Sequence, residues 1–329
     1  MGRDQWVVRV IIACMCLVVG GGVESWGQDT LWETYINAGT KAYGEGRYGE
    51  AEKMFAEALK VAEQFGPQNP RIATTLNNLA ETYRVQGKYA QAETLYLRSM
   101  GIREKVEGPE SLAVAQSLNN LALLHAVQGK YAEAEPLYAR ALAIREKLLG
   151  PEDQDVALVL NNLALLYNNQ GKYDKAEPLF RRALAIKEKG LGSEHPSVAT
   201  TLNNLALVYN NQGKYKEAEQ LYRRSLGIRE KTLGPEHPDV AQSLNNLASL
   251  YSNQGRFTEA EPLYKRALAI VEKALGAEHP EIVMILKNYS ILLQKTDRKA
   301  EAISLAARAD KIKNQHEREN TLLKPSGSP

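Results

Sequence analysis

The sequence predicts an all-α fold: a right-handed superhelical solenoid of about seven antiparallel helix hairpins. Three observations predict it. The pair Asn-Asn recurs every 42 residues, the turn Gly-Lys-Tyr follows at a constant phase, and the apolar residues between them have helical spacing. A fixed period of this length is typical of solenoids, because each unit buries its apolar surface only against its neighbours. The asparagine pairs are Asn77-Asn78, Asn119-Asn120, Asn161-Asn162, Asn203-Asn204 and Asn245-Asn246.

The N-terminal segment, residues 1–27, is predicted to be a signal peptide. Arg3 and Arg9 precede an uncharged apolar run over residues 10–19, and small residues follow. This order is typical of secretory signals, and the run is shorter than the roughly 20 residues that a membrane-spanning helix needs. We therefore expect an exported protein, periplasmic in a bacterium.

Two alternatives for this segment stay open. It could be an uncleaved anchor beginning at Trp6, or a bacterial lipoprotein signal ending at Cys14. We expect cleavage after Gly27, with Gly22 as the other candidate. Because the chain has two cysteines and both lie in this segment, the mature protein would contain none and would need no disulfide.

Each repeat contains two amphipathic helices joined at a glycine. In one copy the first helix carries the stripe Leu160, Leu163, Ala164 and Tyr167, and the second carries Tyr173, Ala176, Phe180, Ala183 and Leu184. Gly171 supplies the left-handed turn. We place the array at residues 28–316, with hairpins at about 31–65, 71–107, 112–149, 155–191, 197–233, 239–275 and 281–313, and a flexible tail at 317–329.

The pattern Leu160-x2-Leu163-Ala164-x2-Tyr167, followed by Ala176-x3-Phe180 and Ala183, resembles the tetratricopeptide motif. The 42-residue period, with Asn-Asn-Leu-Ala and Gly-Pro-Glu-His-Pro, is similar to the repeats of kinesin light chains. The resemblance implies a superhelix whose first helices line a concave, peptide-binding groove. It also implies peptide contact by the asparagines equivalent to Asn78, Asn120, Asn162, Asn204 and Asn246.

The asparagine pairs need a physical reason, because asparagine disfavours the middle of a helix. Helical spacing places Asn161, Leu165 and Asn168 on one face, and Asn162 and Asn169 on another. We expect one asparagine of each pair to hold the stacking and the other to bind a peptide main chain, since an amide both donates and accepts. The predicted groove residues are Asn78, Asn120, Asn162, Asn204, Asn246, Asn119, Asn161, Asn203, Leu165, Leu207, Asn169 and Asn211.

The charge of this face limits which kind of peptide it is predicted to bind. A C-terminal carboxylate would require Lys or Arg on the first helices, and the sequence offers Arg84 and little else. We therefore expect an internal, extended segment with some apolar side chains. The net charge of +2 does not favour nucleic acid.

We predict no catalytic, cofactor or metal residues. Gly44 to Gly49 matches G-x-G-x-x-G but follows no predicted strand, so it does not indicate nucleotide binding. His195, His237 and His279 recur at the repeat period, which separates them by roughly 10 Å. That spacing is too long for one metal ion.

Two functions remain after these exclusions. The first is an exported scaffold or adaptor that binds an extended polypeptide in the asparagine-lined groove. The second is a structural component of a cell-envelope complex that acts through its outer surface. The partner is a protein or peptide in both, and a membrane is involved only if the N-terminal segment is uncleaved or lipidated.

Overall fold

A computed structural model describes residues 23–322 of the chain. Within that range it contains fourteen helices and no strand. Most of the predicted signal peptide lies outside the described residues. Among the helices described, none combines the length and the apolar character that crossing a membrane requires.

The helices alternate between a first and a second helix of successive hairpins. They are α1 Val23–Gly44, α2 Tyr48–Glu63, α3 Pro70–Val85, α4 Tyr89–Glu107, α5 Leu112–Val127, α6 Tyr131–Leu149, α7 Gln154–Asn169, α8 Tyr173–Leu191, α9 Pro196–Asn211, α10 Tyr215–Leu233, α11 Pro238–Asn253, α12 Phe257–Leu275, α13 Ile282–Lys295 and α14 Lys299–Leu322.

The chain forms two compact units that divide between Ala113 and Val114. In the first unit, α1 packs against α2 and α3 against α4, and α2 contacts α3. In the second unit, each helix from α6 onward packs against the next one in the chain. The first helices α7, α9, α11 and α13 also contact one another in order. They therefore form a continuous layer within this unit.

A glycine in the left-handed region closes each regular hairpin turn. At Gly171, φ is 70°, the Lys172 N–H donates to the Tyr167 carbonyl at 2.9 Å, and the Gly171 N–H donates to the Asn168 carbonyl at 2.9 Å. This pair of bonds satisfies the last carbonyls of the first helix. In the last hairpin Asp297 takes the glycine's place with φ 56°, a conformation that aspartate tolerates better than most residues.

Small and aromatic residues share the core between helices. Ala164 and Ala176 are fully buried, which lets the two helices of their hairpin approach closely. Phe180 is also fully buried and packs in the same cluster as Leu205 of the next hairpin. The equivalent positions carry the buried Tyr222 and Tyr264. Burial of these rings contributes to the attraction between hairpins.

The two ends differ from the regular copies. Helix α1 begins at Val23, so the predicted cleavage after Gly27 would remove its first residues. Helix α14 continues to Leu322, so residues 317–322 of the predicted tail are helical. That segment contains good helix formers and no glycine or proline, so nothing in it stops the helix. Residues 323–329 of the tail lie outside the described residues.

Candidate functional site

In the second unit, one stripe of each first helix stays open to solvent. In α7 the stripe consists of Leu158, Asn162, Leu165 and Asn169, at helical spacing. We call the stripes of α5, α7, α9 and α11 together the amide face. Its residues are Gln116, Asn120, Leu123, Val127, Leu158, Asn162, Leu165, Asn169, Thr200, Asn204, Leu207, Asn211, Gln242, Asn246, Ser249 and Asn253.

Amide hydrogen bonds join neighbouring first helices across this face. The Asn204 Nδ2–H donates to the Oδ1 of Asn161 at 3.2 Å, and the Asn246 Nδ2–H donates to the Oδ1 of Asn203 at 3.0 Å. The same bond joins Asn162 to Asn119 at 3.0 Å and Asn288 to Asn245 at 3.1 Å. In these four bonds, the asparagine at the second position of a pair, or Asn288 at the equivalent position, binds the first asparagine of the preceding pair.

The two asparagines of a pair occupy different environments. The first ones are buried: Asn119, Asn161, Asn203 and Asn245. The second ones are half-buried and border solvent: Asn120, Asn162, Asn204 and Asn246. Among the predicted groove residues, the structure therefore places Asn119, Asn161 and Asn203 behind the amide face. They can orient the exposed asparagines but do not line the surface.

The remaining predicted residues also separate. Leu165 and Leu207 are half-buried on the amide face, and Asn169 and Asn211 are exposed there. Of the predicted stripe Asn161, Leu165 and Asn168, both asparagines are buried and only Leu165 borders the open surface. Asn168 accepts a hydrogen bond from the Asn211 Nδ2–H at 3.2 Å, which makes a second inter-hairpin amide bond. Asn78 lies in the first unit and is half-buried.

The second helices contribute basic residues that the sequence analysis missed. The Arg145 guanidinium donates to the Asp155 carbonyl at 2.8 Å and to the Oε1 of Gln116 at 2.7 Å, although its side chain is almost fully buried. Arg229, 84 residues later, makes the equivalent contacts: its guanidinium donates to the Asp239 carbonyl and to Gln242. Burial lowers the pKa of both groups.

Lys187 occupies the intermediate copy of this position. Its Nζ donates to the Oγ1 of Thr201 at 2.9 Å, and burial lowers its pKa. Arg145, Lys187 and Arg229 thus place a row of positive charges behind the amide face, near the beginnings of the first helices. The 42-residue spacing was the signal that could have revealed them. The second helices carry many other charged residues, so this spacing did not stand out in the sequence.

In the second unit, carboxylates of the second helices bind residues of the following hairpin. Glu219 accepts hydrogen bonds from the Tyr251 hydroxyl and from Arg256, both at 2.8 Å, and from Arg223 at 2.9 Å. Burial alone would raise the pKa of Glu219, but the bonds from Arg256, Tyr251 and Arg223 lower it to about 2. Glu177 likewise accepts hydrogen bonds from the Tyr209 hydroxyl and from the Lys214 Nζ. These contacts fix how hairpins stack.

The recurring histidines cap helices. The Nδ1 of His195 accepts the Ser197 backbone N–H at 3.1 Å, and the Nδ1 of His237 accepts the Asp239 N–H at 3.1 Å. Asp153 caps α7 with its carboxylate at the same position. Such caps satisfy N–H groups that the helix itself leaves unpaired. Among the described residues, no group of three or more His, Cys, Asp or Glu could hold a metal ion.

Comparison with known protein families gives one match. A model of the tetratricopeptide repeat matches overlapping segments that together run from residue 33 to residue 315. The segments are 33–105, 71–147, 113–189, 155–231, 197–273 and 239–315. A comparison with curated proteins gave no match.

Solved structures with similar folds include kinesin light chain-like proteins. A kinesin light chain-like protein of Podosopora anserina with nearly identical TPR-like repeats is 30% identical, over 63% of this chain and 98% of that chain, with a TM-score of 0.54. BtubC (BKLC) from P. vanneervenii is 24% identical over 70% and 92%, with a TM-score of 0.58. The Rap conjugation gene regulator of plasmid pLS20 in complex with the Phr* peptide is 18% identical over 99% and 89%, with a TM-score of 0.66.

Proposed function

The chain belongs to the tetratricopeptide repeat family, and on that premise we propose that it is a non-enzymatic scaffold that binds another polypeptide. The ligand is an extended, internal segment, and the amide face is the inner surface of the groove that holds it. The export signal proposed for residues 1–27 would place this scaffold in the periplasm of a bacterium.

One observation carries the proposal: the exposed asparagines are held in a row with a fixed orientation. Asn162, Asn204 and Asn246 each use one N–H for the preceding hairpin. An amide has a second N–H and an acceptor oxygen. Because the main chain of a peptide presents N–H and C=O groups whatever its side chains are, a row of such amides fits an extended segment of varied sequence.

The apolar residues of the same face support a peptide ligand. Leu123, Leu165 and Leu207 occupy equivalent positions beside the asparagines. Leu158 is 41% exposed on the same stripe. Contact between these leucines and apolar side chains of the ligand would remove apolar surface from water and so stabilise the complex. The Rap regulator solved with the Phr* peptide has a similar fold, which is compatible with a peptide ligand here.

A peptide-selection experiment tests this function. Full-length protein is used to select binders from a randomised library of linear twelve-residue peptides, which when extended reach about 40 Å and so exceed the length of the amide face. Binding of each selected peptide is then measured by fluorescence anisotropy, with a free and with an amidated C-terminus. We expect equal affinity for the two forms, because an internal segment has no terminal carboxylate.

Two matched substitutions locate the binding surface. Leu158→Arg places a long charged side chain on the amide face, at a position whose own side chain takes no part in the inter-hairpin asparagine bonds. Leu191→Arg makes the same change at the end of α8, where leucine is 39% exposed, away from that face. We expect the first variant to lose binding and the second to retain it. Equal loss in both, or a library that gives no binder, would contradict the proposal and favour action through the outer surface.

A further inference from the structure

We infer that the bound segment runs antiparallel to the repeat array. Its N-terminal end would lie toward Asn246 and Asn288, and its C-terminal end toward Asn120. The inference rests on the proposed function, because it specifies how a peptide is held on the amide face. It follows from the sense of the amide bonds between hairpins.

Five asparagine bonds between hairpins have the same sense. In each of them the donor Nδ2–H belongs to the later hairpin and the acceptor Oδ1 to the earlier one. The bonds are Asn162 to Asn119, Asn204 to Asn161, Asn246 to Asn203, Asn288 to Asn245 and Asn211 to Asn168.

Two of the buried asparagines agree with this assignment. The Nδ2–H of Asn119 donates to the Oδ1 of Asn120, and that of Asn245 donates to the Oδ1 of Asn246, both at 3.3 Å. The amide nitrogens of Asn119 and Asn245 are therefore turned toward their own helices. Their Oδ1 atoms face the following hairpin, where they accept from Asn162 and Asn288.

This sense fixes what each exposed asparagine presents to a ligand. A carboxamide is planar, with one N–H directed sideways, away from its oxygen, and the other directed forward beside the oxygen. In Asn162 and Asn204 the bond to the preceding hairpin uses Nδ2. The nitrogen therefore lies on the side of the preceding hairpin and the oxygen on the side of the following one. The forward edge carries a donor and an acceptor in a set order along the array.

An extended peptide carries its own groups in a set order. The N–H and C=O of one residue point to the same side of the strand, with the N–H first in the chain direction. Pairing both groups with one asparagine requires the peptide N–H over Oδ1 and the peptide C=O over the Nδ2–H. The peptide nitrogen then lies toward the later hairpin. The partial charges of the two edges are complementary only when the peptide runs antiparallel to the array.

The reverse direction brings like charges together. At Asn162, Asn204 and Asn246 the Oδ1 would face a peptide carbonyl, and the N–H would face a peptide N–H. The peptide would have to turn these groups away and leave the amides unpaired. Three steps between packed helices, from Asn120 to Asn246, cover about 24–30 Å. That is about seven to nine extended residues, enough for direction to be resolved by labels at the two ends of the peptide.

Photo-crosslinking of the selected library peptides to the full-length chain tests the direction. Each peptide is made with a benzophenone at its N-terminus or at its C-terminus, and the crosslinked protein residues are identified by mass spectrometry. We expect most N-terminal crosslinks within residues 238–295 and most C-terminal crosslinks within residues 112–169. Crosslinking should disappear in Leu158→Arg and persist in Leu191→Arg, which identifies the products as complexes on the amide face.

The outcomes separate the two claims. Crosslinks in the opposite order, or mixed equally at both ends, would overturn the direction while leaving peptide binding intact. Crosslinks that persist in Leu158→Arg, or a library without binders, would overturn the proposed function and the direction with it.

Discussion

The bond between Asn203 and Asn246 should contribute measurably to stability. Asn203 is only 6% exposed, and its Oδ1 accepts the Asn246 Nδ2–H at 3.0 Å. In Asn246→Ala this buried oxygen loses its donor, which costs about 1–3 kcal/mol. Alanine is the better helix former and returns about 0.5 kcal/mol. We therefore expect a net loss of about 0.5–2.5 kcal/mol in the free energy of unfolding.

Urea unfolding followed by circular dichroism at 222 nm measures this loss. The matched control is Asn253→Ala, which makes the same substitution at an exposed position of the same helix and face. Because no inter-hairpin amide bond is removed there, its effect should stay within about 0.5 kcal/mol. Similar losses in both variants would show that the effect comes from the residue type and not from the bond.

A double-mutant cycle isolates the pair. Asn203→Ala and the double variant with Asn246→Ala complete the cycle. We expect the double variant to be more stable than the sum of the single changes implies, by about 1 kcal/mol, since the second substitution removes no further bond. Strict additivity would refute the bond and, with it, the fixed orientation of the exposed asparagines.

Two further predictions concern caps and charges. His237→Ala should destabilise the chain by about 1 kcal/mol in thermal melts, whereas His237→Asp should be nearly neutral, because Asp153 already caps α7 in this way. The pKa values of Glu219 and Glu261 are lowered to about 2, against 4.5 for a free side chain. Their ionised carboxylates therefore stabilise the folded state fully above about pH 4.5, and this stabilisation is lost as the pH falls toward 2. The urea midpoint should fall over that range, and Glu219→Gln should make the fall shallower; a midpoint that is independent of pH would contradict the assigned contacts.

The sequence alone predicted the helical, repeating fold because its signals are local. Gly171 and Pro196 mark ends and beginnings of helices through backbone geometry that does not depend on distant contacts. The stripe at Leu160, Leu163 and Ala164 predicted a buried face, and all three residues are buried. The end of α14 was missed because a helix without a stop signal can extend beyond its packing partner, and periodicity cannot show where that occurs.

The sequence did not predict which asparagine of each pair is buried and which borders solvent. Helical spacing gives the angle between two positions but not which of them faces the neighbouring helix. Asn161 and Asn162 differ by one step, and only the packing of successive first helices decides that Asn161 is buried. Once that packing is known, the orientation of the amide follows from its hydrogen bonds. This orientation is the property on which the proposed binding direction depends.

Comparison of successive repeats shows when the buried cations behind the amide face are present. Arg229 is buried and donates to Gln242 and Ser243. One repeat later Val271 takes its place, and Met284 and Ile285 take the places of those two acceptors. A buried charge without acceptors would cost several kcal/mol, so the charge and its acceptors are present together or absent together. The fold therefore accepts an apolar residue here, and stacking alone does not require the positive charge behind the amide face.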